Sequence, residues 1–301
     1  MKPDEQSPDK RVAVIGSRGR LGAALMRAWG ERYTMTGFAR PTVDLLRPES
    51  IDECLGLGDF DWVINCAANT NVDDCERNPE AAFAANERAP RQIARSCRER
   101  GARLLHVSTD YVFDGKKSEP YSETDAVVPI SIYGKSKAAG DTAVLEEAPD
   151  SIIVRVSWVF GPEKPSFIDG ILNKARTDPK ASAVADKWSS PTYTEDMADW
   201  LAALIEQSAP AGFYHLCNTG GCTWRDYGEY ALQCAQAAGI PLQTTSVAPI
   251  SLKDIPAFVA QRPINTVLDT AKFSRTTGMI PRSWQRAVES YIASIAAREA
   301  V

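Results

Sequence analysis

An α/β architecture, built on a doubly wound parallel sheet with a smaller C-terminal domain, is what the sequence predicts. Three observations point to it. Runs such as Val12–Ile15 and Ile152–Val154 are apolar at successive positions, as strands buried on both faces are. Patterns of helical period separate these runs, and strands alternating with helices imply βαβ units. The first strand-to-helix junction carries glycines at 16, 19 and 22.

In chain order, Val12–Ile15 reads as a strand and Leu21–Trp29 as a helix stopped at Gly30. Tyr33–Phe38 and Trp62–Ala67 follow as strands, and Pro79–Arg100 as one long helix ending at Gly101. Arg103–Val107 is a strand that runs into Ser108, Thr109 and Asp110, Ile132–Glu147 is a helix, and Ile152–Val156 is the next strand. After Phe160 the turn-rich GPEKPSF breaks the alternation. Beyond it come a helix at Glu195–Glu206, a strand at Phe213–Cys217, a helix at Trp224–Gly239 and a last helix near Trp284–Ala297.

A chain of 301 residues can bury a large core. Its net charge of −5 argues against a nucleic-acid partner, because phosphate binding calls for a basic surface. No apolar run approaches the ~20 residues of a membrane span. Residues 1–10, MKPDEQSPDK, lack the apolar core of a signal peptide and read as a disordered leader. The seven cysteines include no C-x-x-C pair and are odd in number. They read as reduced thiols of a cytoplasmic protein. With two histidines, His106 and His215, each alone on a strand, no structural zinc is expected and both read as core residues.

The glycine spacing has a mechanical reading. Gly16 permits the tight turn, Gly19 lets a pyrophosphate approach the backbone, and Gly22 lets the helix pack against the sheet. The helix N-terminus then offers N–H groups to the phosphates, which makes this a Rossmann-type dinucleotide site. The second strand ends in Gly37-Phe38-Ala39-Arg40, without the acid that would take a ribose hydroxyl. Arg18 and Arg40 suit a 2′-phosphate instead. The expected cofactor is therefore NADPH, with NADH possible.

Tyr133 and Lys137 lie four residues apart on a predicted helix and share one face. A lysine cation favours the phenolate and lowers the tyrosine pKa. Lys137 can also hold the nicotinamide ribose. Thr109, at the end of its strand, would bond the substrate oxygen while Tyr133 gives it a proton. A lone Y-x-x-x-K is common. Its order after the glycine loop and Thr109 is what makes it informative.

These residues resemble the extended short-chain dehydrogenase/reductase superfamily and, more narrowly, the dTDP-4-dehydrorhamnose reductase family. The similarity runs from Val12 to about Ala297 through INCAANTNVDDCE, HVSTDYVFDG, ETDAVVPISIYGKSKAAGD, RVSWVFGP, SSPTYTEDMA, GFYHLCNTGGCTWRDYG and AQRPINTVLDTAKF. The resemblance implies that Thr109, Tyr133 and Lys137 are the catalytic set. It places Gly19, Arg20 and Leu21 at the pyrophosphate and Asp44 and Leu45 near the adenine. Ala67, Ala68, Asn69 and Thr70 would line the path to the nicotinamide. Asp110, Tyr111 and Trp158 would touch the deoxyhexose, and Arg262 the nucleotide diphosphate. The implied division is residues 11–161 with about 190–218 for the NADP-binding domain, and about 162–189 with 219–301 for the substrate-binding domain.

The implied activity is NADPH-dependent reduction of the 4-keto group of dTDP-4-dehydrorhamnose to dTDP-L-rhamnose. Related 4,6-dehydratases place a glutamate two residues after the catalytic threonine, where this chain has Tyr111. Some relatives bind magnesium through a glutamate two residues after the third glycine. Ala24 stands there, so no metal is carried over. The expected partner is a nucleotide sugar, with no nucleic acid and no membrane, for a monomer or homodimer. Two further readings stay open. The regulatory beta subunit of methionine adenosyltransferase shares the fold, a YVFDG segment and the Q-R-P-x-N-x-x-L-D tail, and grips a protein rather than catalysing. A reductase or epimerase acting on another nucleotide sugar is the third.

Overall fold

A computed structural model describes residues 10–299. The leader, apart from Lys10, lies outside the described residues. The first half holds β1 (Arg11–Ile15), α1 (Arg20–Ala28), β2 (Thr34–Phe38), α2 (Pro48–Leu55), β3 (Trp62–Asn65), α3 (Val72–Arg77), α4 (Pro79–Phe83), α5 (Ala89–Arg100), β4 (Arg103–Thr109), α6 (Ile132–Glu147) and β5 (Ile152–Val156). The second half holds β6 (Val159–Phe160), α7 (Phe167–Thr177), β7 (Ala181–Val184), β8 (Trp188–Ser189), β9 (Thr192–Tyr193), α8 (Thr194–Glu206), β10 (Gly212–His215), β11 (Cys222–Thr223), α9 (Trp224–Ala237), β12 (Val247–Ile250), α10 (Ala271–Thr277) and α11 (Trp284–Glu299).

Six strands form one parallel sheet in the order β10-β5-β4-β3-β1-β2. The chain steps outward from β1 to β2 and then back across β1 to β3. That reversal opens a crevice at the strand C-termini, where ligands of such sheets bind. Both faces are apolar. Val12 and Val14 face a core with Leu25, Trp29 and Trp200, while Ala13 and Ile15 face a core with Ile51, Ile93 and Val144. This is why the sequence shows continuous apolar runs rather than alternation.

The strand at 212–215 returns to the main sheet, as the sequence suggested. The helix that covers α1 comes from far along the chain: Trp29 Nε1 donates to the Ala198 carbonyl of α8 at 3.1 Å. Residues 271–277 need correcting. They were expected in the C-terminal domain, yet Phe273 of α10 is buried in the same core as Val12 and Trp200. A second core joins α7, α9 and α11 through Ile168, Leu172, Leu232, Val288 and Tyr291.

The long helix expected over Pro79–Arg100 is interrupted by a π-helical turn at Ala84–Arg88. Pro90 supplies the reason. It has no N–H for the Asn86 carbonyl, and its ring crowds that carbonyl. The backbone widens so that Ala89 N–H reaches Ala84 O instead. Asn86, fully buried, sits in this turn. Among the described residues, no helix is long and apolar enough to cross a membrane.

Candidate active site

The cofactor loop is built by close approach. A Cβ on Gly22 would collide with the Gly16 carbonyl, so only glycine lets α1 start this near the end of β1. No side chain caps α1 at Gly19, so the first-turn N–H groups are left for an anion. That is the fit expected for a dinucleotide pyrophosphate. Arg18 and Arg40 are exposed at the end of β2, with Arg18 Nη1 3.4 Å from the Arg40 carbonyl oxygen. Asp44 and Leu45 are half-buried in the turn before α2, where the Asp44 carboxylate accepts the Leu46 N–H.

Arg20 departs from expectation. Its guanidinium donates to the carbonyls of Val159, Lys164 and Pro165. The side chain therefore straps the loop after β6 to α1, and only its backbone N–H remains for a phosphate.

Ala67 and Ala68 follow β3, and Ala67 lies directly against Gly16. The Asn69 side chain is spent on its own turn, donating to Asp74 and accepting the Asn71 N–H. It is a brace for this loop rather than a free ligand, while Thr70 is exposed. Asn86 reaches across from the π turn. It accepts the Asn69 N–H and donates to the Asn69 carbonyl and to Ser136 Oγ of α6.

At the C-terminal end of β4, Thr109, Tyr133 and Lys137 come together, all buried. Ser131 caps α6 by accepting the Gly134 N–H. A Cβ on Gly134 would collide with the Tyr111 carbonyl, so this glycine lets α6 lie against the turn after β4. The Tyr133 and Tyr111 rings meet edge to face at 5.5 Å. Burial pushes the Tyr133 phenol well above its ordinary value, against the pull of the Thr109 hydroxyl beside it. This corrects the expectation that Lys137 lowers it. Lys137 itself is brought down to about 8 by burial and is turned to the Val107 carbonyl and to His106.

Thr109 gives its one hydroxyl proton to Asp110 Oδ1 at 3.0 Å and accepts the Tyr111 N–H. The other Asp110 oxygen accepts from Ser157 Oγ at 2.8 Å. Asp110 was expected to touch the sugar. Here both its oxygens serve to orient Thr109 and to tie β4 to the strand end after β5.

Arg262 needs a similar correction. It was expected at a substrate diphosphate, but its guanidinium pairs with Asp73 at 2.5 Å and stacks on Phe258 at 3.6 Å. The arginine holds the Asp73 carboxyl down at about 2, and Asp73 also accepts the N–H groups of Val259 and Ala260. The pair clamps the 258–262 segment over α3. Trp158 is half-buried at φ +46°, a left-handed conformation rare for such a residue. Its ring packs against Tyr227, Phe167 and Trp224 at 4.7, 5.2 and 5.4 Å.

A model of the RmlD substrate binding domain family matches residues 10–297. The chain belongs to this family. The dTDP-4-dehydrorhamnose reductase of Streptomyces griseus is 35% identical over 298 residues, covering 97% of this chain and 96% of that protein. The crystal structure of the Clostridium acetobutylicum dTDP-4-dehydrorhamnose reductase has a TM-score of 0.88 at 29% identity, covering 95% of this chain and 99% of that one. The Bacillus anthracis enzyme, solved in complex with NADP, has a TM-score of 0.88 at 30% identity with the same coverage.

Three residues of this RmlD-family site were not visible as such in the sequence. His106 was read as core. It is fully buried, yet its Nε2 lies 3.2 Å from Lys137 Nζ. Asn86 gave no signal beyond its place ahead of Pro90. Lys187, between β7 and β8, is almost completely buried, donates to the Pro263 carbonyl at 2.8 Å and lies 5.1 Å from the Tyr111 ring. It brings the second half of the chain against the turn after β4. Among the described residues, no three His, Cys, Asp or Glu side chains are grouped to hold a metal ion, and the seven cysteines are free.

Proposed function

We propose that this protein reduces the 4-keto group of dTDP-4-dehydrorhamnose to give dTDP-L-rhamnose, with NADPH as reductant. The observation that carries the reading is one buried site holding Thr109, Tyr133 and Lys137 at the end of β4, beside the crevice of a dinucleotide-binding sheet. NADPH, when bound, supplies a hydride to the carbonyl carbon. The N–H groups of α1 take its pyrophosphate, and Arg18 and Arg40 its 2′-phosphate. Tyr133 gives its proton to the substrate oxygen as that oxygen gains charge. A reduction needs the neutral phenol, and the burial that raises the Tyr133 pKa keeps it in that form. With substrate bound, the Thr109 hydroxyl turns its proton from Asp110 to the substrate oxygen and holds it in line. Tyr111 stands where an elimination would need a carboxylate, so the C5 proton stays in place.

The test is a coupled reaction from dTDP-glucose through a dehydratase and a 5-epimerase. The purified protein should oxidise NADPH and yield dTDP-L-rhamnose by NMR. NADPH binding without turnover would defeat the reading. The double substitution Arg18→Ala, Arg40→Ala should raise the KM for NADPH by ~10-fold or more, since each lost charge-assisted bond is worth roughly 1.5 kcal/mol. It should leave the KM for NADH nearly unchanged. Equal effects on both cofactors would remove the two arginines from 2′-phosphate recognition.

A further inference from the structure

A chain of hydrogen bonds reaches Lys137 from behind, and its direction is fixed at the far end. The Ala67 backbone N–H lies 3.1 Å from Asn65 Oδ1. A backbone N–H only donates, so the amide oxygen faces it. Asn65 therefore turns its NH2 toward His106, with Nδ2 3.0 Å from Nδ1. An amide nitrogen also only donates, so Nδ1 of His106 is the bare, accepting nitrogen. In a neutral ring the proton is then on Nε2, the atom 3.2 Å from Lys137 Nζ. A donor on the histidine needs a lone pair on the lysine, and only the uncharged amine has one. That amine still has N–H to give the Val107 carbonyl at 2.8 Å.

An ammonium would meet the ring donor to donor. Moving the ring proton to Nδ1 would set it against the Asn65 NH2, and flipping that amide would orphan the Ala67 N–H. Asn65 and His106 are fully buried and Lys137 is 1% exposed, so water cannot stand in.

We propose that His106, oriented by Asn65, is a positioning residue that holds Lys137 as a neutral amine in the cofactor-free protein, and that Lys137 becomes an ammonium only by leaving it. The proposal rests on reading Lys137 as part of the catalytic set. The other groups around Lys137 are compatible with it. Cys66, beyond β3, is pushed up to about 12 by burial and carries no charge. Asp141, one turn along α6, favours the ammonium, but burial of Lys137 outweighs it and its carboxylate is paired with Arg155 of β5; Tyr133 on the same helix is a neutral phenol. Burial moves both Lys137 and His106 toward their uncharged forms; for Lys137 it reaches about 8, which alone would leave the ammonium dominant at neutral pH, and the His106 N–H facing Nζ is what takes it the rest of the way. A neutral Lys137 leaves Tyr133 protonated, the state from which reduction starts.

The chain has two histidines, which makes the test direct. His215 Nδ1 lies 3.0 Å from the Tyr121 carbonyl oxygen and must carry its proton there. Nitrogen NMR of the full-length protein with labelled histidine, without cofactor at neutral pH, should show two neutral rings of opposite tautomer: Nδ1–H for His215 and Nε2–H for His106. Two Nδ1–H rings, or an imidazolium, would overturn the proposal whether or not the protein turns over, so its failure is separable from failure of the proposed activity. His106→Gln supplies a second readout, since an amide oxygen accepts from an ammonium. The ionisation of Lys137 in the pH profile of kcat/KM should move up by about one unit or more. A lower rate with the ionisation unmoved would leave His106 a space-filler and sink the idea.

Discussion

Tyr133→Phe is expected to lower kcat by ~10²-fold or more while NADPH affinity stays within about twofold. The substitution removes one oxygen and keeps the ring, so the edge-to-face contact with Tyr111 survives. The hydroxyl acts only as charge builds on the substrate oxygen. Its loss should therefore depress kcat and kcat/KM together rather than raise KM. No other proton donor is free to replace it. Thr109 is an aliphatic alcohol, a far weaker acid than a phenol, and Lys137 faces Val107 and His106. Steady-state rates of NADPH oxidation, with cofactor affinity measured separately by fluorescence, check the split. Unchanged turnover would take the phenol out of the reaction.

Arg155→Met is expected to destabilise the fold by ~3–5 kcal/mol at neutral pH, the usual consequence of removing one member of a buried ion pair. Arg155 of β5 and Asp141 of α6 are 2% and 3% exposed, with Nε 3.5 Å from Oδ2. Arg155 Nη1 and Asp141 Oδ1 have no partner among the described residues. The guanidinium is also flanked by Phe213 at 4.1 Å and Phe113 at 5.3 Å, so little water reaches it. Burial already pushes the Asp141 carboxyl upward, against the pull of Arg155. Without Arg155 it rises further. A carboxyl whose folded pKa lies above the unfolded value of ~3.9 binds its proton more tightly in the folded state. The variant should therefore lose stability as pH rises through that folded pKa and regain part of it in mild acid. The double variant with Asp141→Leu should recover most of the loss. Denaturant midpoints at two pH values test both signs. A loss that does not depend on pH would mean that packing, not charge, accounts for the effect.

The two predictions use residues of opposite visibility in the sequence. Tyr133 could be read because its partners come in a fixed order along the chain and its helix is regular. The main sheet could be read because its strands are apolar on both faces. The second half was harder. β6, β8, β9 and β11 are two residues each, too short for any periodicity to register, and α7 follows a loop that reads only as a break. Charged residues gave the least. Arg262 shows its charge in the sequence, but its partner Asp73 is 189 positions away. The same holds for His106 and Lys137, on neighbouring elements 31 residues apart. Arg20 was assigned to a phosphate because it sits in the glycine loop. Nothing local shows that carbonyls of residues 159–165 would take its guanidinium first.

The seating of α8 on α1 has a consequence for biosynthesis. Leu25 and Trp29 on α1 are covered by Trp200, Leu201 and Ala198, and the edge of the sheet is completed only by β10. A ribosome that has released the first 160 residues has therefore exported most of the nucleotide-binding half with one greasy flank bare. That flank stays open to nonspecific association until about 50 more residues emerge, at roughly 5–20 residues per second. Chaperone demand in this protein should peak midway through translation and fall once residue 215 clears the exit tunnel.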